Sequence, residues 1–245
     1  LLAADTAGSI AAAARIHAQG GCANLYIKIP GTPEGVPAIE ESIYNGIPIN
    51  VTLLFSAGQY LAAAHAYLRG IERRIEAGRD PVVSSVASLF VSRWDKAIAD
   101  SAPEQLHNKL GLAVSRQVYR AYRELLASER WNKLAAAGAQ PQRLLWASTS
   151  AKDPKAPDTL YVAALAAPDT VNTIPQETLD AFADHGKVDS VLGTDDANSA
   201  LQPFAEAGID VDALAVQLQR EGADSFVKSW QQLMQSIGEK AKKPG

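Results

Sequence analysis

The sequence has 245 residues, a net charge of −4 and 47% hydrophobic residues, a composition typical of one or two globular domains. No run of Lys or Arg is present, so nucleic acid is not expected as a partner. No apolar run is long enough for a transmembrane helix, and residues 1–6 lack the features of a signal peptide. Cys22 is the single cysteine, which excludes an intrachain disulfide and favours a reducing, cytoplasmic location.

Helices and strands alternate along the predicted chain, beginning with a helix that Asp5 or Thr6 caps and Gly20 ends. Five strands are predicted, at 24–30, 47–55, 84–91, 143–148 and 170–174. Further helices are predicted at 32–44, 57–77, 102–126, 132–137, 159–165 and from 176 onward. This alternation predicts an α/β fold with a parallel sheet. No glycine-rich dinucleotide motif or phosphate loop follows a strand, which disfavours an open doubly wound sheet.

The first two predicted strands each combine an aliphatic face with a polar face, since side chains alternate along a strand. Leu25, Ile27 and Ile29 share one face of the first strand, and Asn24, Tyr26 and Lys28 share the other. In the second strand, Ile49, Val51, Leu53 and Phe55 are expected on one face, and Asn50 and Thr52 on the other. Polar inner faces near the strand ends are typical of a TIM-barrel enzyme, whose site lies at the carboxyl ends of the strands.

Lys28 is the most informative of these polar residues. Burial of an ammonium lowers its pKa, and the resulting free amine can attack a ketone to form a Schiff base. The alternative is structural: a lysine at a strand end can extend to solvent or pair with a carboxylate.

Five segments resemble transaldolase, in the order and spacing of the longer bacterial and plant-like branch of that family. The segments are Asn24-Leu-Tyr-Ile-Lys28-Ile-Pro-Gly-Thr-Pro-Glu-Gly35, Gly46-Ile-Pro-Ile-Asn50-Val-Thr52-Leu-Leu-Phe-Ser56, Val86-Ala-Ser88-Leu-Phe-Val-Ser-Arg93-Trp-Asp95, Arg143-Leu-Leu-Trp-Ala-Ser148-Thr-Ser-Ala-Lys152-Asp-Pro154 and Asp169-Thr-Val-Asn172-Thr-Ile-Pro175. The resemblance covers about residues 1–190. It implies a (βα)8 barrel of the class I aldolase type that transfers a dihydroxyacetone unit between sugar phosphates in the pentose phosphate pathway.

The resemblance also implies a role for individual residues. Lys28 matches the Schiff-base lysine, Asn50 a residue that holds the donor's hydroxyls, and Thr52 one that orders a catalytic water. Ser88 matches a serine that contacts the donor. We expect sugar-phosphate substrates, no metal or organic cofactor, no nucleic-acid or membrane partner, and a monomer or homodimer.

Arg93 and Ser148 match the phosphate site of the family. A guanidinium suits that role because its planar fork fits phosphate oxygens, although Arg93 could instead be a surface residue paired with Asp95. The shorter family branch has a second phosphate arginine where this chain has Ser150. Lys152 is a candidate to replace that arginine.

Five predicted strands fall short of the eight of a barrel. The family's first strand carries an Asp and its third a Glu, and no residue here matches either, Asp5 included. We therefore expect an N-terminally truncated barrel portion at 1–190 and a C-terminal helical extension at 191–245 packed on it. On this expectation the chain by itself is inactive or very weak.

Two alternatives to transaldolase remain at this point. Another Schiff-base barrel aldolase would release a free triose where transaldolase transfers it. A catalytically incompetent fragment would bind sugar phosphates without any covalent step.

Overall fold

The computed structural model describes residues 2–22, 24–195, 197 and 199–241. Its ten α-helices within these ranges are α1 (Thr6–Gly20), α2 (Gly35–Tyr44), α3 (Ala57–Glu76), α4 (Ser92–Ile98), α5 (Leu110–Ala127), α6 (Glu129–Ala136), α7 (Leu160–Ala164), α8 (Gln176–His185), α9 (Gln202–Glu206) and α10 (Val211–Ala241). Its strands are β1 (Ile27–Pro30), β2 (Ile49–Leu54), β3 (Ser85–Phe90), β4 (Arg143–Ala147) and β5 (Thr170–Asn172). Short 3-10 helices cover Leu2–Ala4, Glu104–Leu106 and Ser199–Leu201.

The five strands form one parallel sheet in the order β1-β2-β3-β4-β5, which confirms the predicted α/β architecture. Parallel neighbours require crossover connections, and these are almost always right-handed. Because the order never reverses, successive crossovers place their helices on the same side of the sheet. A doubly wound sheet would instead contain a switch point where the strand order reverses.

The aliphatic face of the sheet forms the core with the crossover helices. Ile27, Ile29, Ile49 and Val51 are buried, as the alternation of side chains predicts. Each buried aliphatic side chain contributes about 1.5–3 kcal/mol to folding. The core therefore fixes which way Lys28 and Asn50, the intervening residues, must point.

The alternation fails after Thr52, where the predicted face of Leu53 is wrong. The register with β3 shifts between Val51 and Leu54, and Leu53 has a φ of 59°. A β-carbon built on Gly31 would come within 3.2 Å of Val51 Cγ1 and 2.4 Å of Leu54 Cδ2, so those two side chains share a face. A bulge inserts one extra residue, which turns Leu53 away from the face of the sheet that the crossover helices cover.

The helix predicted at 102–126 is also corrected, since α5 begins at Leu110. Pro103, the 3-10 turn that follows it and the left-handed Asn108, with a φ of 60°, interrupt the helical pattern. The α5 amino terminus is capped by Asp95, whose two carboxylate oxygens accept from Leu110 N at 2.8 Å and Gly111 N at 3.2 Å. Local sequence does not reveal this cap, because it lies in the separate helix α4.

Candidate functional site

One face of β1, β2 and β3 brings three predicted site residues together. Lys28 on β1 is the register partner of Asn50 on β2, and Pro30 is the partner of Thr52. Ser88 on β3 is buried, and its hydroxyl donates to Asn50 Oδ1 at 2.7 Å. Since that bond occupies the amide oxygen, the Asn50 amide nitrogen, which has no recorded partner among the described residues, is available to a ligand oxygen.

Lys28 is exposed, so the expectation that the sheet buries it is wrong for the described chain. The reason is its place in the sheet: β1 is an edge strand there and pairs with β2 alone among the described strands. Partial burial nevertheless lowers the pKa of Lys28 below its ordinary value of 10.5. No ion pair within 4 Å ties the ammonium to a carboxylate in the part of the chain that the structure describes. At neutral pH, a larger fraction of Lys28 is therefore present as the free amine than of an ordinary lysine.

Thr52 has a buried hydroxyl without a hydrogen-bond partner among the described residues. An unpaired buried hydroxyl costs about 1–3 kcal/mol. Four other side chains have such an atom, namely Ser42, Trp94, Gln142 and Trp146. Among the candidate site residues, however, Thr52 alone carries this cost, as expected of a hydroxyl that needs a water or ligand.

Two positive φ angles mark the ends of strands that carry candidate residues. Leu53 follows Thr52 with a φ of 59°, and Ser148 follows β4 with a φ of 57°. A non-glycine residue in the left-handed region costs on the order of 1–3 kcal/mol, and such strain concentrates at functional sites.

Arg93 and Ser148 lie at neighbouring strand ends. Ser92, the first residue of α4, connects them: its N–H donates to Ser148 O at 3.0 Å, and its hydroxyl lies 2.9 Å from Ser148 Oγ. Ser92 is fully buried and was not predicted as a site residue, although its place between β3 and Arg93 was a usable signal.

The Arg93 guanidinium stacks over the Phe90 ring at 4.7 Å and makes no ion pair with a described carboxylate. Burial lowers the pKa of Arg93, and the charge of Glu221 on α10 partly opposes that shift. The predicted alternative, a surface pair between Arg93 and Asp95, is wrong. Asp95 is buried and bonds to the α5 amino terminus and, at 2.7 Å, to the Tyr161 hydroxyl.

Lys152 lies in the segment that follows β4. Its ammonium donates to Ser150 Oγ at 2.5 Å. It lines a cavity of about 860 Å³ together with Asp95, Lys96 and Tyr161, and neither Arg93 nor Lys28 is among the described residues of that lining. No described contact links Lys152 to Arg93, and a shared phosphate site stays a prediction.

No group of three or more His, Cys, Asp or Glu side chains in the described ranges is placed to hold a metal ion. Among the helices that the structure describes, none combines the length and apolar character that crossing a bilayer requires. The polar groups at the strand ends are an amine, an amide, hydroxyls and a guanidinium. Such a set can attack a carbonyl and hold hydroxyl and phosphate oxygens.

Comparison with known proteins places these residues in context. A family model described as Transaldolase/Fructose-6-phosphate aldolase matches residues 1–237. Proteins named transaldolase are similar to this chain in Renibacterium salmoninarum (46% identity over 95% of this chain and 65% of that protein), Thermobifida fusca (47%, 97% and 68%) and Frankia alni (45%, 91% and 63%). The chain thus spans about two thirds of the length of these relatives.

Proposed function

We infer the activity of this chain from the family to which it belongs, the transaldolase/fructose-6-phosphate aldolase family. We propose that it is a transaldolase, which moves a dihydroxyacetone unit from a ketose phosphate such as fructose 6-phosphate or sedoheptulose 7-phosphate to an aldose phosphate. The proposed setting is the pentose phosphate pathway in the cytoplasm. The observation that carries the proposal is the amine of Lys28, which lies beside Asn50 on the adjacent parallel strand and makes no ion pair with a described residue.

The chemistry begins at the Lys28 nitrogen. The free amine attacks the donor's ketone carbon, and loss of water from the adduct leaves a protonated imine. That imine accepts the electron pair of the adjacent carbon–carbon bond when the bond breaks, while a base takes the proton of the neighbouring hydroxyl. The resulting enamine then adds to the aldehyde of the acceptor, and hydrolysis of the new imine returns the amine.

The remaining residues are proposed to bind and orient the substrate. Asn50 offers its amide nitrogen to the donor's hydroxyls, and Ser88 fixes that amide. Thr52 holds the water that enters and leaves, which would satisfy its unpaired hydroxyl. Arg93 and Ser148 bind a phosphate group, and Lys152 is a further candidate cation for that role.

The base for carbon–carbon cleavage has no counterpart in this cluster. No carboxylate hydrogen-bonds to Lys28, Asn50, Thr52 or Ser88 among the described residues. Asp95 accepts from three donors. It lines the 860 Å³ cavity, whose described lining contains no residue of this cluster. We therefore propose that imine formation is the step that these residues support, and that cleavage needs a further acid–base group.

The proposed fold of the intact site is a (βα)8 barrel, with 1–190 in the barrel and 191–245 as a helical extension. Support comes from the unreversed order of five parallel strands, since a barrel also adds strands in chain order. The polar inner face and the aliphatic outer face agree with that arrangement.

Borohydride reduction with fructose 6-phosphate tests the proposal, because reduction fixes any imine as a stable amine. Imine formation alone adds the whole sugar phosphate to the protein mass, whereas cleavage leaves a three-carbon unit. A chain that only binds sugar phosphates gains no covalent mass. If cleavage occurs, an absolute dependence of turnover on erythrose 4-phosphate indicates transfer, and release of a free triose without it indicates an aldolase.

A further inference from the structure

Helix α10 crosses the carboxyl ends of β1 and β2, and Gln219 attaches it there. The Gln219 side chain is buried, and its amide nitrogen donates to Gly31 O at 3.0 Å and to Leu53 O at 2.9 Å. Gly31 follows β1 directly, and Leu53 is the left-handed residue after Thr52. One side chain therefore satisfies two carbonyl groups, one directly after the strand that carries Lys28 and one on the strand that carries Thr52.

Gly222, one turn further along α10, allows the helix to approach this closely. A β-carbon at position 222 would lie 2.6 Å from Leu53 Cδ2 and 3.2 Å from Arg93 Nη1. Glycine inside a helix is destabilising relative to alanine. Here that cost is offset by the contact between the helix and the strand ends.

Phe226 lies one further turn along the same helix face, four residues after Gly222. The centre of its ring is 5.9 Å from the Lys28 amine, although 198 residues separate the two in the sequence. Its side chain is 42% exposed, so it is not a core residue that packing alone explains. The attachment at Gln219 and Gly222 determines where this ring stands.

The surroundings of the amine contain no described charge that would hold it as an ammonium ion. Across β2 lies the amide of Asn50, on β3 the hydroxyl of Ser88, and on α10 the ring of Phe226. Glu221 on α10 acts on Arg93, and Tyr26 precedes Lys28 by two residues on its own strand face. Burial is the cause that lowers the pKa of Lys28. The attraction of an aromatic face for a cation acts in the opposite direction.

We propose that α10 forms a wall of the candidate site, in which Phe226 is a positioning residue that shields the Lys28 amine from water while Gln219 and Gly222 hold the helix in place. The inference deepens the proposed function, since the shielded amine is the proposed nucleophile. The placement of α10 beside Lys28, however, does not depend on any turnover by the chain.

The test measures the amine directly. The full chain and its variants are labelled with a limiting amount of acetic anhydride over a series of pH values, and the labelled fraction of the Lys28 peptide is determined by mass spectrometry. Phe226→Ala should move the midpoint of Lys28 labelling to higher pH, because water replaces the ring beside the amine. Gln219→Met keeps the size of the side chain but removes its donors, and it should move the midpoint in the same direction.

Phe226→Leu and Leu233→Ala are the matched controls. Leucine retains an apolar side chain beside the amine, so Phe226→Leu should leave the midpoint of Lys28 labelling near that of the unmodified chain. Leu233 is an apolar residue of α10 with 51% exposure, two turns beyond Phe226, and its truncation should leave the midpoint in place. Circular dichroism of each variant verifies that the helices are retained.

The inference is overturned if Phe226→Ala labels at the same midpoint as the unmodified chain, or if Leu233→Ala shifts it equally. Borohydride trapping with fructose 6-phosphate separates this outcome from failure of the proposed function. If the labelling midpoint shifts in Phe226→Ala but the unmodified chain forms no sugar adduct, the wall is supported and the transaldolase assignment is contradicted. A chain that forms the adduct but shows no Phe226-dependent shift of the labelling midpoint supports the assignment and contradicts the wall.

Discussion

Two groups of polar residues, one on β1, β2 and β3 and the other around α4 and α5, differ in how their side chains are partnered. Around β1, β2 and β3, the Lys28 amine, the Thr52 hydroxyl and the Asn50 amide nitrogen have no recorded hydrogen-bond partner among the described residues. Around α4 and α5, the buried Asp95 accepts from three donors, Leu110 N, Gly111 N and Tyr161 Oη. The first group we call the open cluster, and the second the closed cluster.

On the proposed function, this difference separates the candidate site from a structural cluster where residue type does not. A carboxylate in a large cavity suggests a catalytic group, and burial raises the pKa of Asp95 as in many catalytic acids. Yet each of its bonds fixes a structural element. The open cluster has the reverse character, since its polar atoms have no hydrogen-bond partner among the described residues, which a purely structural sheet would not require.

The largest expected effect is loss of the covalent adduct when the open cluster loses its amine. Lys28→Met should abolish borohydride trapping of fructose 6-phosphate, because no other group in the cluster can form an imine. Lys133→Met, on the exposed part of α6, is the matched control and should form as much adduct as the unmodified chain. Intact-protein mass spectrometry measures both, and equal adduct in Lys28→Met would remove the open cluster from the account.

The next largest effect concerns stability and the closed cluster. Asp95→Asn replaces one acceptor oxygen by a donor that faces other donors, and it should reduce the free energy of unfolding by about 2–3 kcal/mol. Tyr161→Phe removes only the hydroxyl donor and should cost about 1 kcal/mol. Urea unfolding followed by circular dichroism gives both values. A negligible loss in Asp95→Asn, together with slower sugar trapping, would mean that Asp95 belongs to the reaction.

A smaller effect distinguishes two hydroxyls on the same sheet. Ser85 Oγ donates to Ile49 O at 2.7 Å and accepts from Gln142 Nε2 at 2.8 Å, so Ser85→Ala should cost about 1–2 kcal/mol of stability and leave trapping unchanged. Thr52→Val removes an unpaired hydroxyl and should leave stability the same or higher, while slowing trapping. If Thr52→Val is instead the destabilising change, the hydroxyl has a structural partner and the comparison fails at that residue.

The smallest expected effect is the pH dependence of trapping by the unmodified chain. Because burial lowers the pKa of Lys28, the midpoint of the trapping rate should lie at a pH below the ordinary lysine value of 10.5. The rate should fall as the pH decreases through that lowered pKa and the amine becomes an ammonium ion. A profile centred at or above 10.5 would show that the amine is fully solvated.

The sequence predicted the sheet and the faces of its strands where local periodicity determines them. All five strands were predicted, and Lys28, Asn50 and Ser88 do lie on three adjacent strands. The prediction failed at Leu53, because a bulge depends on pairing with β3 and not on the residues of β2 alone. The start of α5 was missed for a similar reason, since its cap comes from α4.

Contacts between residues far apart in the chain were the least predictable part of the candidate site. Nothing in the periodicity of residues 211–241 indicates that Gln219 bonds to Gly31 or that Phe226 faces Lys28. The place of Lys152 likewise depends on the path of a loop after β4, where strand alternation no longer applies. The central site residues could be predicted from the strand patterns, whereas the residues around them could be identified only from the tertiary structure.

The most direct test of the account is the position of the trapped sugar in the unmodified chain. After reduction with borohydride in the presence of fructose 6-phosphate, proteolysis and tandem mass spectrometry identify the modified lysine. The account predicts one modified site at Lys28, in the peptide that contains Tyr26 and Ile29. Modification at another lysine, or the absence of any adduct, would contradict it.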